Sequence, residues 1–165
     1  MDIKIYIGIA QIFLSSITMT IIVCGFFYSR KHFKILRSSH YIERYNSSAM
    51  IVIKTVVNDF AFELNELDEN AREERASSLI KSRKSEDLKL KSQLTLLLNL
   101  FTELAIAFEG GALDEKTTVK CFHVVIPKYV DRLLPYINEC RKSEDVFSSL
   151  LKFSETLEKL EKKIN

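Results

Sequence analysis

The chain is poor in the residues that break a fold into strands and turns. Its 165 residues include four glycines and two prolines, and beyond position 28 only Gly110, Gly111, Pro127 and Pro135 remain of these. Alternation of apolar and polar residues is absent too, so nothing suggests a sheet. Three cysteines, Cys24, Cys121 and Cys140, stand far apart with no Cys-x-x-Cys pair. That spacing matches neither a disulfide framework nor the paired ligands of a structural zinc site, even with His123 beside Cys121. In a reducing compartment these residues stay thiols. A Gly-rich phosphate loop, a nucleophile elbow and kinase or nuclease signatures are all missing. Charge of one sign is missing as well: 24 basic and 22 acidic residues nearly cancel. A nucleic-acid binder would carry a basic face through its whole domain. No cofactor, metal, nucleic acid or small-molecule substrate is therefore expected.

What the chain does have is one long uncharged run. Residues 5–28, IYIGIAQIFLSSITMTIIVCGFFY, contain no charge, and Gln11 is their only strongly polar side chain. About 20 apolar residues in a helix cross the roughly 30 Å hydrocarbon core of a bilayer. A helix also satisfies its own backbone hydrogen bonds there, so the run is expected to span as one helix. It is too long for a signal peptide and lacks an Ala-x-Ala-like cleavage site. The sequence before Cys24 resembles a lipidation site, but branched Val23 stands where a small residue is wanted. Arg30, Lys31, Lys34 and Arg37 follow the run, against Lys4 alone before it. Basic residues stay on the cytoplasmic side, which predicts an outside amino terminus at 1–4 and a cytoplasmic remainder. The same cluster attracts anionic headgroups.

The rest reads as helices in series. Residues 29–46 continue the span as a basic stalk, and a bundle is expected over 47–165. Ser47 or Ser48 caps a helix to about Leu64, with Ile53, Val56, Phe60 and Leu64 on one face. A charged helix covers about 69–83. Ser85 is the expected cap of the next, which runs over about 86–109 and is apolar nearly all round, the mark of a buried helix. Gly110 and Gly111 stop it, and Asp114 caps a helix over about 115–126. Pro127 is expected to break that helix and Pro135 to bend the one after it. Residues 143–145 start the last helix.

Three features suggest interactions. Val146, Leu150, Phe153, Leu157, Leu160 and Ile164 alternate at spacings of four and three, a seam for another helix in the same monomer or in a partner. Ser16, Thr20 and Cys24 recur every fourth residue, a small-residue stripe that lets helices approach closely in lipid. Asn99 and Glu103 share one face of the apolar helix. Buried there, they would need partners such as Tyr136 and Arg141, so a structural polar network is expected.

Two central blocks, LLNLFTELAIAFEGGALDE at 97–115 and VVIPKYVDRLLPYINECRK at 124–142, resemble the bacterial domain-of-unknown-function family numbered four-seven-six-zero. Asn99, Phe101, Glu103, Gly111, Asp114, Tyr136, Ile137 and Arg141 fall on its pattern. Thr102 replaces a second aromatic, and Glu109 and Gly110 stand where a basic residue is usual. The resemblance implies an architecture rather than a chemistry: an all-α protein with a single N-terminal transmembrane helix and a cytoplasmic helical bundle. The function this suggests is non-enzymatic. A bundle held at the bacterial inner membrane would bind itself or a protein partner, with the bilayer as its other partner. The alternative is a membrane effector of a stress or phage response acting by helix assembly in the bilayer. An enzyme using Glu103 ranks third.

Overall fold

The computed structural model describes residues 3–164, with the side chains of 11 and 13–160. Among these residues there are seven helices and no strand: α1 Ile3–Asn46, α2 Ser48–Glu66, α3 Glu69–Lys81, α4 Ser85–Glu109, α5 Glu115–Phe122, α6 Val125–Arg141 and α7 Ser148–Ile164. The all-helical expectation therefore holds. The apolar run and the basic stalk form one uninterrupted helix of 44 residues, about 66 Å long at 1.5 Å per residue.

The junctions follow local chemistry. The Ser47 hydroxyl caps α2 by accepting from the Met50 N–H, and the Asp68 carboxylate caps α3 by accepting from the Ala71 N–H. At α4 the expectation fails by one residue. Lys84 is the cap position and has no side-chain cap, while Ser85 is already helical. The Ser82 hydroxyl instead accepts the Lys84 N–H and donates to Asp87. At the other end of α4, Gly111 takes the left-handed conformation with φ of 64°, and Gly110 stays near the helical region. The Ala112 N–H then reaches the Ala107 carbonyl and the Gly111 N–H the Phe108 carbonyl. This pair of bonds satisfies carbonyls the helix end leaves open. Asp114 caps α5 as expected.

Two further boundaries differ from the sequence expectation. Pro127 does not break a helix: it is the third residue of α6, in the first turn, where a missing N–H costs nothing. The break falls at His123–Val124 instead. The last helix begins at Ser148 rather than at 143–145, because Phe147 adopts a positive φ of 64° with its ring buried.

The core lies where α4 packs against α2 and α7, and α6 against α2, α3 and α7. Val57, Leu64, Leu94, Leu97, Leu98, Leu133, Ile137 and Leu157 are fully enclosed. Tyr41, Ile42 and Tyr45, at the end of α1, pack against this core. In the upper part of α1, Gln11 and all of residues 13–33 are exposed.

Candidate functional site

The best-defined polar construction is the junction where α1 enters the bundle. Ser38 is the one buried residue among the described side chains of α1, 1% exposed. Its hydroxyl donates to the Lys34 carbonyl at 3.0 Å and accepts the Asp114 N–H at 2.9 Å. The buried Thr118 hydroxyl stands 3.3 Å away. One serine thus ties α1 to the start of α5. Asp114 is committed to its cap, accepting from the Thr117 N–H at 2.9 Å and the Thr117 hydroxyl at 2.7 Å. The hydroxyl bond, then the backbone bond, holds its carboxyl below the usual carboxylate range, with smaller help from Lys31 and Lys116.

Further along, Tyr45 stacks between Phe101 at 5.9 Å and Phe122 at 5.7 Å, centroid to centroid. Its side chain lies with Tyr129 and Asn58 around one small pocket. Burial, more than the neighbouring Tyr129, pushes the Tyr45 phenol well above its ordinary value. Lys54 lies 3.8 Å over the Tyr45 ring, and desolvation lowers its pKa.

These contacts fix directions. Tyr45 meets Phe101 and Arg44 meets Glu103, while Lys34 and Arg37 share a groove with Gly111 and Ala112. So α4 runs antiparallel to the end of α1, and its terminal turn reaches back toward the apolar half of α1. Ser38 meets Asp114 and Tyr45 meets Phe122, so α5 runs parallel to α1. The turn Gly110–Asp114 is therefore the end of the bundle nearest the apolar half of α1.

The expected polar network is not there. Asn99 and Glu103 do share a face, as their spacing dictates, but it is the outer face of α4, together with exposed Leu96 and Ile106. An isolated carboxylate is costly to bury, and the helix turns it outward instead. Glu103 pairs at 2.5 Å with Arg44, a residue the sequence did not single out, and Arg141 is exposed. Only Tyr136 is buried, with its ring edge-on to Phe60 at 6.5 Å. The expected interaction seam is also used inside the monomer. Leu150, Phe153 and Leu157 are enclosed, and Val146 and Leu160 pack on the same core. The side chain of Ile164 lies outside the described residues. Of the basic cluster, Arg30, Lys31 and Arg37 are exposed and Lys34 is half-buried. Among the described residues, no three metal-ligating side chains converge, and Cys121 and Cys140 are free thiols.

A family model for a domain of unknown function, DUF4760, matches residues 6–163. The chain belongs to that family. The DUF4760 match takes in α1 as well as the bundle, so the long helix is part of what the family shares. It extends well beyond the central blocks that carried the resemblance. No curated protein and no solved structure matches the chain.

Proposed function

We propose that this DUF4760 protein is a single-pass inner-membrane protein whose helical bundle lies in the cytoplasm and acts there as a protein-interaction module. The observation that carries this reading is the division of α1. Its upper part exposes Phe13, Leu14, Ile21, Ile22, Phe26 and Phe27, while its lower part forms a wall of the bundle. Of the described helices, α1 alone is long and apolar enough to cross a membrane, and its apolar window has no protein cover. A bilayer supplies that cover. Arg30 to Arg37 then follow the span on the side where basic residues are retained. A tether of this kind raises the effective concentration of the bundle for other membrane-bound partners.

The interaction surface this reading favours is the outer stripe of α4, Leu96 and Ile106 around Asn99 and Glu103. Leu96 is 49% exposed and Ile106 57% exposed. Association surfaces are contiguous apolar patches, and a partner seated along this stripe would cover both side chains at once. The test is the oligomeric state and partner content of the detergent-solubilised full chain, by chemical crosslinking and mass photometry. Association that Leu96→Glu and Ile106→Glu abolish supports the reading; a strict monomer that captures nothing overturns it. A second reading, assembly of α1 itself in the bilayer, is favoured by Ser16, Thr20 and Cys24 lying along one shallow groove of the span. It expects a disulfide-linked dimer through Cys24 under oxidation, lost in Cys24→Ser.

A further inference from the structure

We infer that the groove between α1 and the α4–α5 turn binds the headgroup of an anionic phospholipid. This rests on the membrane reading above and assigns that reading a specific lipid site. Arg30, Lys34 and Arg37 fall at i, i+4 and i+7, so they stand on one side of α1. With Gly111 and Ala112 of the turn they line a groove of about 820 Å³. Three cations therefore border one concavity, with His40 beside them and no carboxylate among its walls. Of the acids around the turn, Glu109, Asp114 and Glu115, none lines the groove, and Asp114 is committed to Thr117.

The apolar part of the groove points to a lipid rather than to a free anion. Phe26, at the end of the span, and Phe33, between Arg30 and Lys34, are 64% and 71% exposed and line it too. Arg30 to Arg37 lie about 3 to 14 Å beyond Tyr28 along the helix. A headgroup layer about 5 to 8 Å deep below a core ending near Tyr28 takes in Arg30, and the long side chains of Lys34 and Arg37 reach its outer edge from below. The antiparallel course of α4 brings the turn to the same level. A phosphate seated among the three cations thus has its acyl chains directed along Phe33 and Phe26 into the bilayer. The guanidinium groups of Arg30 and Arg37 suit the geometry of phosphate oxygens. The turn forms the opposite wall with the smallest side chains available, which leaves the groove wide enough for a headgroup.

The experiment uses the full chain reconstituted in nanodiscs of phosphatidylcholine with a minority of phosphatidylglycerol, released for native mass spectrometry. Retained phosphatidylglycerol adducts are expected well above its share of the bilayer. Arg30→Gln with Arg37→Gln should cut this enrichment about tenfold or more, at roughly fivefold per cation. Ala112→Glu should also reduce it, because it places a carboxylate in the groove while leaving every cation of α1, and hence the orientation signal, intact. Lys84→Gln with Lys89→Gln, at the far end of α4, should leave it unchanged. Equal enrichment in all four proteins, or loss in the Lys84 and Lys89 variant as well, overturns the site. Competition by soluble glycerophosphate would instead make it a site for free phosphate esters, and also overturns the lipid assignment. Extraction of the native chain by alkaline carbonate would overturn the membrane reading itself. A chain that resists carbonate but shows no groove-dependent lipid leaves that reading standing and removes only the groove.

Discussion

Ser38 and Glu103 exchange the roles that composition assigns them. Ser38 sits in a basic, hydrophilic stretch yet is enclosed, and its hydroxyl serves the Asp114 N–H and the Lys34 carbonyl together. Ser38→Ala leaves the Asp114 N–H without its partner and is expected to cost about 1–3 kcal/mol. Glu103 sits in a leucine-rich, largely buried helix yet is exposed, with side chains 43% and 48% open in its pair with Arg44. Glu103→Gln is expected to change stability by at most about 1 kcal/mol, as for other surface pairs. Thermal melts of the two variants check the contrast; a Glu103→Gln chain that unfolds would restore the buried network. Asp114 adds a pH dependence. Its carboxyl titrates below that of the unfolded chain, chiefly through the Thr117 hydroxyl. The stabilisation is therefore present above the ordinary carboxylate range and is lost as pH falls through the depressed folded value. Asp114→Asn keeps an oxygen for the cap but no titrating group. Its melting temperature should fall less than the native chain's between about pH 6 and about pH 3. Asp114→Ala should cost about 0.5–2 kcal/mol at neutral pH.

Helices were legible in the sequence wherever a side chain announces the boundary. Ser47, Asp114 and Gly111 each carry a cap or a turn that residue type alone foretells. The boundaries that were misplaced depend on tertiary packing. Phe147 is held at positive φ with its ring in the core, and no local pattern marks an L-residue for that conformation. Which face of α4 is covered was equally hidden, because leucines surround it and only its neighbours decide which ones α2 and α7 enclose. The α7 seam was visible as a pattern but not as to its owner, since a heptad looks the same packed on its own chain or on another. The structure assigns it to the monomer, with a measurable consequence. Leu157→Ala should cost about 2–5 kcal/mol, the range for emptying a closed site. Leu96→Ala, on the open stripe of α4, should stay within about 0.5 kcal/mol. Urea titrations monitored by circular dichroism would rank the pair. Equal losses would mean that Leu96 is covered, and a Leu157 loss as small as a surface residue's would mean that α7 does not close the core.

For the whole molecule, the decisive feature is that α1 has no joint between its apolar half and the bundle. A hinge requires a break in the helical hydrogen bonds, a proline or a glycine pair, and residues 29–46 contain neither. Gly25 lies within the helix with open space around it and leaves α1 continuous. Rotation or displacement of the upper helix is therefore carried into the Ser38–Asp114 contact and the Tyr45 stack rather than absorbed between them. The boundary of the folded unit moves accordingly: the sequence placed the bundle at 47–165, whereas Ser38, Tyr41, Ile42 and Tyr45 already belong to its packing. Two truncated chains separate these boundaries. One starting at Ser29 keeps the Tyr45 contacts with Phe101 and Phe122 and the partner of the Asp114 N–H. One starting at Ser47 uncovers both rings and orphans that N–H. The shorter chain should melt about 10 °C or more below the longer one, since a few kcal/mol lost from a domain of this size shifts the transition that far. It should also bind a hydrophobic dye where its partner does not. Coincident melts would return the boundary to position 47 and reduce the end of α1 to a passive stalk.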